Sequence, residues 1–297
     1  MKFKAVVATL WIILAGCGLQ NGKQGRIFSG TTKNSPLYFS ALASNFDCTN
    51  TAQTMIPESE CLALKEFYIA TDGDHWSGIN DWWSDKRVED WSYINGVVNG
   101  VEIPSSGHVT HLVFDNIGLK GEIPSSIQNL TQLEYLSIFN SKNTFGNSGI
   151  GGTIPEALCA LNKLNILELT GNFQGEIPEC IGNLINLKGL YLSHSGLDGV
   201  IPSSIGSLVN LISMDLSFNK LSGTIPQSIG NLKMLRELHL AENNLEGELP
   251  HSIGSMSALE KLSLYNNRIS GEIPIEFGNL GNLQYFTARD NKITKIP

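Results

Sequence analysis

Positive charge is scarce in this chain. Its 297 residues include 20 Lys and Arg against 28 Asp and Glu, which gives a formal net charge of −8. A nucleic-acid-binding surface needs a basic face for the phosphates, so this balance argues against a nucleic-acid partner. The six histidines are scattered, and none has a partner at the i, i+4 spacing of helical zinc sites. We therefore expect neither a metal nor a cofactor.

Long apolar runs are also missing. Residues 5–15 form an apolar stretch of 11 residues after Lys2 and Lys4, whereas a membrane-spanning helix needs about 20. The end of this stretch, Leu14-Ala15-Gly16-Cys17, resembles the lipobox of bacterial lipoproteins. The resemblance implies a signal peptide over residues 1–16, a lipid on Cys17 and a flexible linker over residues 17–45, and thus attachment to a membrane. An ordinary secretory leader and a secreted protein are the alternative.

Cysteines are few, at five. Apart from Cys17, four remain, and their number fits an oxidising compartment. Four cysteines allow three pairings. The local ones are Cys48 with Cys61 and Cys159 with Cys180, and we expect these two disulfides.

Residues 46–108 predict an N-terminal cap. The sequence ESECLALKEFYIA over residues 58–70 places Cys61, Leu64, Phe67 and Tyr68 on one face of a helix. Four tryptophans follow within sixteen residues, namely Trp76, Trp82, Trp83 and Trp91. Aromatic side chains at this density favour a lid over the end of a repeat array, with a carbohydrate-stacking site as the alternative.

Residues 109–297 are repetitive, and the repeat predicts a solenoid. The unit LISMDLSFNKLSGTIPQSIGNLKM begins at Leu211 and returns every 24 residues. We number the units coils 1 to 8, and they begin at Val109, Leu133, Leu164, Leu187, Leu211, Leu235, Leu259 and Leu283. A seven-residue insert lengthens coil 2, and coil 3 is one residue short.

Each position of the unit has a physical role, counted from position 0 at the start of each coil. The leucines at positions 0, 3 and 5 are expected to point inward. Asparagine at position 8 can satisfy backbone groups at the bend; it occurs as Asn172, Asn219, Asn243, Asn267 and Asn291. Ile117, Ser141 and Ser195 replace it in coils 1, 2 and 4, so those bends should be less well tied. Glycine at position 12 permits a tight turn.

The pattern LxxLxLxxNxLxGxIPxxIGNL resembles the plant-type leucine-rich repeat, found in plant receptor ectodomains and polygalacturonase-inhibiting proteins. The resemblance implies an α/β solenoid, a right-handed superhelix with a parallel concave β-sheet and an N-terminal helical cap. It also implies a non-enzymatic recognition module. The segment containing Cys159 and Cys180 is similar to a paired-cysteine motif of plant receptor-like proteins. A truncated receptor-like ectodomain is a further interpretation.

The outward strand positions 2, 4, 6 and 7 should form the concave face, with one residue per coil in each row. Aromatic side chains among acids on this face are typical of protein recognition. The predicted ligand-binding residues are Tyr135, Phe139, Glu168, Tyr191, Asp215, Phe218, His239, Tyr265 and Tyr285. We expect a protein partner; a glycan or peptide ligand, glycosidase inhibition and a face with no dedicated ligand are the alternatives.

One row also has the order of a hydrolase triad. Asp215, His239 and Ser263 occupy position 4 of consecutive coils, which would bring an acid, a base and a nucleophile together. A flat open face, however, offers no evident oxyanion donors and no pocket that excludes water. The sequence therefore predicts a protein that is not an enzyme. The lipobox resemblance implies that it is displayed outside the cytoplasm, on the outer membrane or cell surface.

Overall fold

The computed structural model describes residues 47–50, 55–77, 93–94, 97–98, 100–102, 107–140 and 149–295. The predicted leader, Cys17 and the predicted linker lie outside the described residues. So do Trp82, Trp83, Trp91 and Ser141. Within the described ranges, no helix has both the length and the apolar character needed to cross a bilayer.

The cap contains helix α1 (Glu58–Ala70), followed by a 3₁₀ turn over Gly73–His75. Phe67 of the helix stacks on Phe114 of coil 1, with 5.1 Å between the ring centroids. Trp76 is buried, and its indole N–H donates to the Thr71 carbonyl at 2.9 Å. A disulfide joins Cys48 to Cys61 in the helix. The aromatic side chains of the described part of the cap thus close the apolar end of the array.

A nine-stranded concave sheet runs along the solenoid, and eight of its strands are parallel. The first strand, Gly100–Glu102, pairs antiparallel with coil 1. The eight parallel strands are His111–Asp115, Tyr135–Phe139, Ile166–Thr170, Gly189–Tyr191, Ser213–Asp215, Glu237–His239, Lys261–Ser263 and Tyr285–Thr287. A separate antiparallel pair joins Tyr93–Ile94 to Val97–Val98. The chain is therefore an α/β leucine-rich repeat solenoid with an N-terminal helical cap.

Two smaller parallel sheets and a row of 3₁₀ turns complete the coils. One sheet contains Gly121–Glu122, Ile150–Gly152, Asn172–Glu176 and Gly196–Asp198, and the other contains Glu246–Glu248, Arg268–Glu272 and Lys292–Lys295. The 3₁₀ turns are Ser125–Asn129, Glu156–Ala160, Glu179–Asn183, Ser203–Ser207, Gln227–Asn231, His251–Ser255 and Ile275–Asn279. Each turn directly follows a proline, such as Pro226 at φ −69° and ψ 145°. Proline suits this place because its nitrogen has no hydrogen to donate. A second disulfide, Cys159–Cys180, joins two consecutive turns.

The core follows the repeat positions. The residues at positions 3 and 5, such as Leu238 and Leu240, are fully buried in every coil from Leu112 and Phe114 to Leu262 and Leu264. A ladder of asparagines runs beside them, formed by Asn219, Asn243, Asn267 and Asn291. The side-chain N–H groups of Asn219, for example, donate to carbonyls of its own coil and of the preceding coil. Its side-chain oxygen accepts from the Leu197 N–H at 3.1 Å.

The ladder is weaker where the sequence departs from asparagine. The Ser195 hydroxyl bonds the Leu169 carbonyl at 3.4 Å, against 2.8 to 3.1 Å for the bonds of Asn219 to Leu192 and Leu216. Asn172, in the short coil, instead begins the strand Asn172–Glu176. The coils therefore differ in how tightly each bend is held.

The residue before the ladder position adopts a left-handed backbone in six coils. These residues are Asn116, His194, Phe218, Glu242, Asn266 and Asp290, with φ between 52° and 58°. Asparagine and aspartate tolerate this region, but a bulky aromatic such as Phe218 is rarely found there. The bend therefore carries backbone strain next to the concave face.

Candidate functional site

The concave strands bring the predicted residues into rows. Strand register places Tyr191, Asp215, His239 and Ser263 side by side at position 4 of coils 4 to 7. Glu168 and Ser137 continue the same row toward the cap. The rows follow from the repeat length, since one residue per coil faces outward at each position.

Near the cap, an acidic–tyrosine patch contains Asp115, Tyr135, Ser137, Glu168 and Tyr191. The Glu168 carboxylate accepts a hydrogen bond from the Ser137 hydroxyl at 2.8 Å. Burial raises the pKa of Glu168, and it also raises the pKa of Asp115. Burial raises the pKa of Tyr135 to about 12, with a contribution from the Glu168 charge. The patch therefore holds carboxylates in a poorly hydrated aromatic environment.

An aromatic pair lies in the middle of the face. His194 and Phe218 stack with 4.2 Å between the ring centroids and an interplanar angle of 10°. Phe218 remains 39% exposed, so its outer ring surface is open to solvent. The two rings lie on consecutive coils at the left-handed position, which directs them away from the core.

The three triad residues lie together in the row, but their side chains have other partners. The Asp215 carboxylate accepts hydrogen bonds from the N–H and the hydroxyl of Ser217. The His239 ring nitrogen Nε2 lies 3.8 Å from a Glu237 carboxylate oxygen. The nearby His239 ring and the hydrogen-bonded Lys261 ammonium lower the pKa of Glu237 to about 2. An acid–base–nucleophile relay is not assembled in this structure.

Among the described outward positions of the concave face, lysine and arginine occur only in coils 7 and 8, at the end remote from the cap. Lys261 pairs with Glu237 at 2.8 Å, and Arg289 pairs with Asp290 at 2.8 Å. The Arg289 guanidinium also lies 4.8 Å from the centroid of the Tyr265 ring. Tyr285 is 53% exposed in the last coil. In the part of the chain that the structure describes, no group of three or more His, Cys, Asp or Glu is arranged to hold a metal ion.

Two features were not predicted from the sequence. His111 stacks on Tyr135 at 5.7 Å, which places an imidazole beside the acidic–tyrosine patch. A groove of about 390 Å³ lies away from the concave face, between the Ile-Pro segments of neighbouring coils, and is lined by Pro155, Glu176, Pro178 and Pro202 among others. The shared strand position of His111 and Tyr135 was visible in the repeat. The groove had no signal in the sequence.

Comparisons with known proteins agree with this architecture. Family models described as "Leucine rich repeat" match residues 185–245 and 258–280. Receptor-like protein 53 of Arabidopsis thaliana is 39% identical over 107 residues, which cover 28% of this chain and 11% of that protein.

Two solved structures are similar over most of the chain. The PEPR1–AtPEP1 structure is 29% identical, covers 79% of this chain and 32% of its own, and has a TM-score of 0.67. The ectodomain of the membrane receptor kinase GASSHO1/SCHENGEN3 from Arabidopsis thaliana, in complex with CASPARIAN STRIP INTEGRITY FACTOR 2, is 32% identical, with a TM-score of 0.58. That match covers 70% of this chain and 28% of the ectodomain. This chain thus spans about a tenth of the first relative and about a third of each solved chain.

Proposed function

We propose that this chain, which is similar to plant-type leucine-rich repeat proteins, is an extracellular recognition module that binds a protein partner, through an extended peptide segment, along its concave face. The observation that carries this proposal is the set of partly exposed aromatic side chains on the outward positions of a preformed sheet. Aromatic residues in such positions supply most of the binding energy in protein recognition. Both similar solved structures are named as pairs, PEPR1 with AtPEP1 and the GASSHO1 ectodomain with its factor, which supports a protein or peptide ligand.

The proposed interface is centred on Tyr191 and Phe218. Tyr191 lies in the strand row, where burial raises the pKa of its hydroxyl, and Phe218 offers an open ring one coil further on. Their substitution by alanine should leave the core intact, because neither side chain belongs to the inward positions 0, 3 and 5. The two residues can therefore report on binding separately from folding.

We expect the double variant Tyr191→Ala/Phe218→Ala to bind concave-face ligands about 1000-fold more weakly, because each aromatic anchor contributes roughly 2 kcal/mol. The probe is a phage-displayed library of random dodecapeptides, selected on the full chain. Synthetic versions of the enriched peptides are then titrated against wild type and variant. The matched control is Ile185→Ala/Val209→Ala, which removes apolar side chains of similar exposure from the turns that lead into the strands. Equal affinity of wild type and Tyr191→Ala/Phe218→Ala would move the interface to the cap or to another side of the coils.

The second part of the proposal is attachment through Cys17. The lipobox-like residues before this cysteine support it, and a peptide tether of 29 residues would reach about 30 Å in root-mean-square length. One acyl chain gives only marginal membrane binding, so stable attachment requires more than one chain on the same terminus.

Incorporation of a labelled fatty acid tests the anchor in the cells that produce the protein. We expect the wild-type chain to carry the label and to sediment with membranes, and the Cys17→Ala variant to lose both properties. A Cys180→Ala variant is the control for loss of a cysteine. Equal labelling of wild type and Cys17→Ala would remove the anchor and leave a secreted module.

A further inference from the structure

Charge is distributed unevenly along the concave face. The outward positions of coils 1 to 6 hold five carboxylates and no lysine or arginine, and all of them lie within the described residues. The five are Asp115, Glu168, Asp215, Glu237 and Glu242. Lys261 and Arg289 follow only in coils 7 and 8. The face is therefore an acidic, aromatic surface over most of its length.

Among the residues that the structure describes, Glu168 has no cation beside it, in contrast to Glu237. Glu237 has Lys261 and His239 beside it, and Glu242 accepts from the Asn266 amide at 2.6 Å. Glu168 accepts a hydrogen bond from the neutral Ser137 hydroxyl. The charge that affects its pKa is that of Asp115, which is also negative and raises it further. A carboxylate has room for about four hydrogen bonds, so most of the acceptor capacity of Glu168 remains for a ligand.

Two tyrosines adjoin this carboxylate. Strand register places Tyr191 next to Glu168 at position 4. On the other side of Glu168, the strand of coil 2 carries Ser137 and Tyr135, and Tyr135 pairs with Ile166. The Glu168 charge contributes to the raised pKa of both tyrosine hydroxyls. A carboxylate beside aromatic rings in a poorly hydrated site is the chemistry that receives an ammonium or guanidinium group.

We propose that the acidic–tyrosine patch is a specificity site for a basic side chain, so that the concave face selects peptide segments with a Lys or Arg docked on Glu168 between Tyr135 and Tyr191. The inference rests on the proposed function, since it assigns the ligand class of the same face. Glu168 and Phe218 lie two coils apart, about 10 Å across the strands, and three positions apart along them, about another 10 Å. The two side chains are thus roughly 14 Å apart, which an extended peptide covers in about four residues. The favoured segment therefore has an apolar residue about four positions from its Lys or Arg.

The selected dodecapeptides test this inference directly. We expect them to be enriched in Lys or Arg with an apolar residue about four positions away. Glu168→Gln should weaken their binding about 10- to 100-fold, whereas Glu134→Gln should leave it within twofold. Glu134 is a suitable control because it is an exposed acid at position 1 of coil 2, and its loss changes the net charge equally.

A double-mutant cycle tests whether the loss of affinity comes from the contact between Glu168 and the basic residue of the peptide. Replacing the basic residue of the peptide with glutamine should weaken binding to wild type but have little further effect on Glu168→Gln. The variant should also melt at or above the wild-type temperature, because it removes a poorly hydrated charge while glutamine can still accept from Ser137. A lower melting temperature together with weaker binding of every peptide would give Glu168 a structural role and overturn the inference.

The outcomes separate the two proposals. Peptides that depend on Tyr191 and Phe218 but lack a basic residue, and that bind Glu168→Gln normally, would overturn the specificity site and leave the recognition function standing. Peptides whose affinity is the same for wild type and for Tyr191→Ala/Phe218→Ala would overturn the proposed function itself. Basic peptides whose affinity drops with Glu168→Gln and not with Glu134→Gln would support both.

Discussion

Asn243→Ala should lower the free energy of unfolding by about 3 kcal/mol, because alanine leaves several buried backbone groups without partners. The Asn243 amide donates to the carbonyls of Leu216, Leu240 and Ala241 at 3.0 to 3.2 Å. Its oxygen accepts from the Leu221 N–H at 3.0 Å. These bonds tie coil 6 to coil 5, so their loss weakens the contact between neighbours on which a solenoid depends.

Urea denaturation of the full chain, followed by circular dichroism, measures this effect. The control is Asn244→Ala, which removes the next amide in the sequence from outside the ladder and should change the free energy of unfolding by less than about 0.5 kcal/mol. Hydrogen exchange locates the damage: the amides of coils 5 and 6 should lose protection first. A loss below 1 kcal/mol would mean that the freed backbone groups find other partners, and the ladder would not be a main source of stability.

Glu60→Ala should destabilise the junction between cap and solenoid by about 3 kcal/mol, since removal of a buried, fully paired acid leaves its partners unsatisfied. Glu60 is 2% exposed. Its carboxylate accepts from the Val109 N–H at 2.8 Å and contacts the His108 ring nitrogen at 2.7 Å. Both partners lie at the entry to coil 1, so this side chain joins helix α1 to the first repeat by hydrogen bonding, beside the stacking of Phe67 on Phe114.

Thermal unfolding and limited proteolysis together test the role of Glu60. We expect a lower melting temperature and faster cleavage in the cap, with the later coils still protected. Glu66→Ala is the matched control, because Glu66 is an exposed acid of the same helix and its loss should cost less than about 0.5 kcal/mol. Equal proteolysis of Glu60→Ala and wild type would mean that the aromatic packing of Phe67 and Trp76 holds the cap without this acid.

The sequence was sufficient for the fold because the repeat length determines which residues are neighbours. A period of 24 residues puts Asp215 beside His239 and His239 beside Ser263, as the strand register has them. The same period predicts the buried leucines and the asparagine ladder. Glycines at position 12, such as Gly247 at φ 74°, adopt the left-handed backbone of the predicted tight turn.

The hydrogen-bond or ion-pair partner of each concave side chain could not be predicted from the repeat period. His239 faces Glu237 in its own strand rather than Asp215, and Asp215 takes hydrogen bonds from Ser217. These choices depend on rotamers and on competition between adjacent rows, which the repeat pattern does not contain. The left-handed conformation of Phe218 was also not predicted, because phenylalanine has no preference for it.

The disulfide between Cys159 and Cys180 gives the acidic–tyrosine patch a mechanical property. The bond crosses from coil 2 to coil 3, the coils whose strands carry Ser137 and Glu168. A chain pulled from its ends would unravel coil by coil, but the intact disulfide transmits the force past the loop of residues 159–180, which contains the strand of Glu168. That loop cannot be extended while the bond is intact, whereas the strand of Ser137 lies outside it.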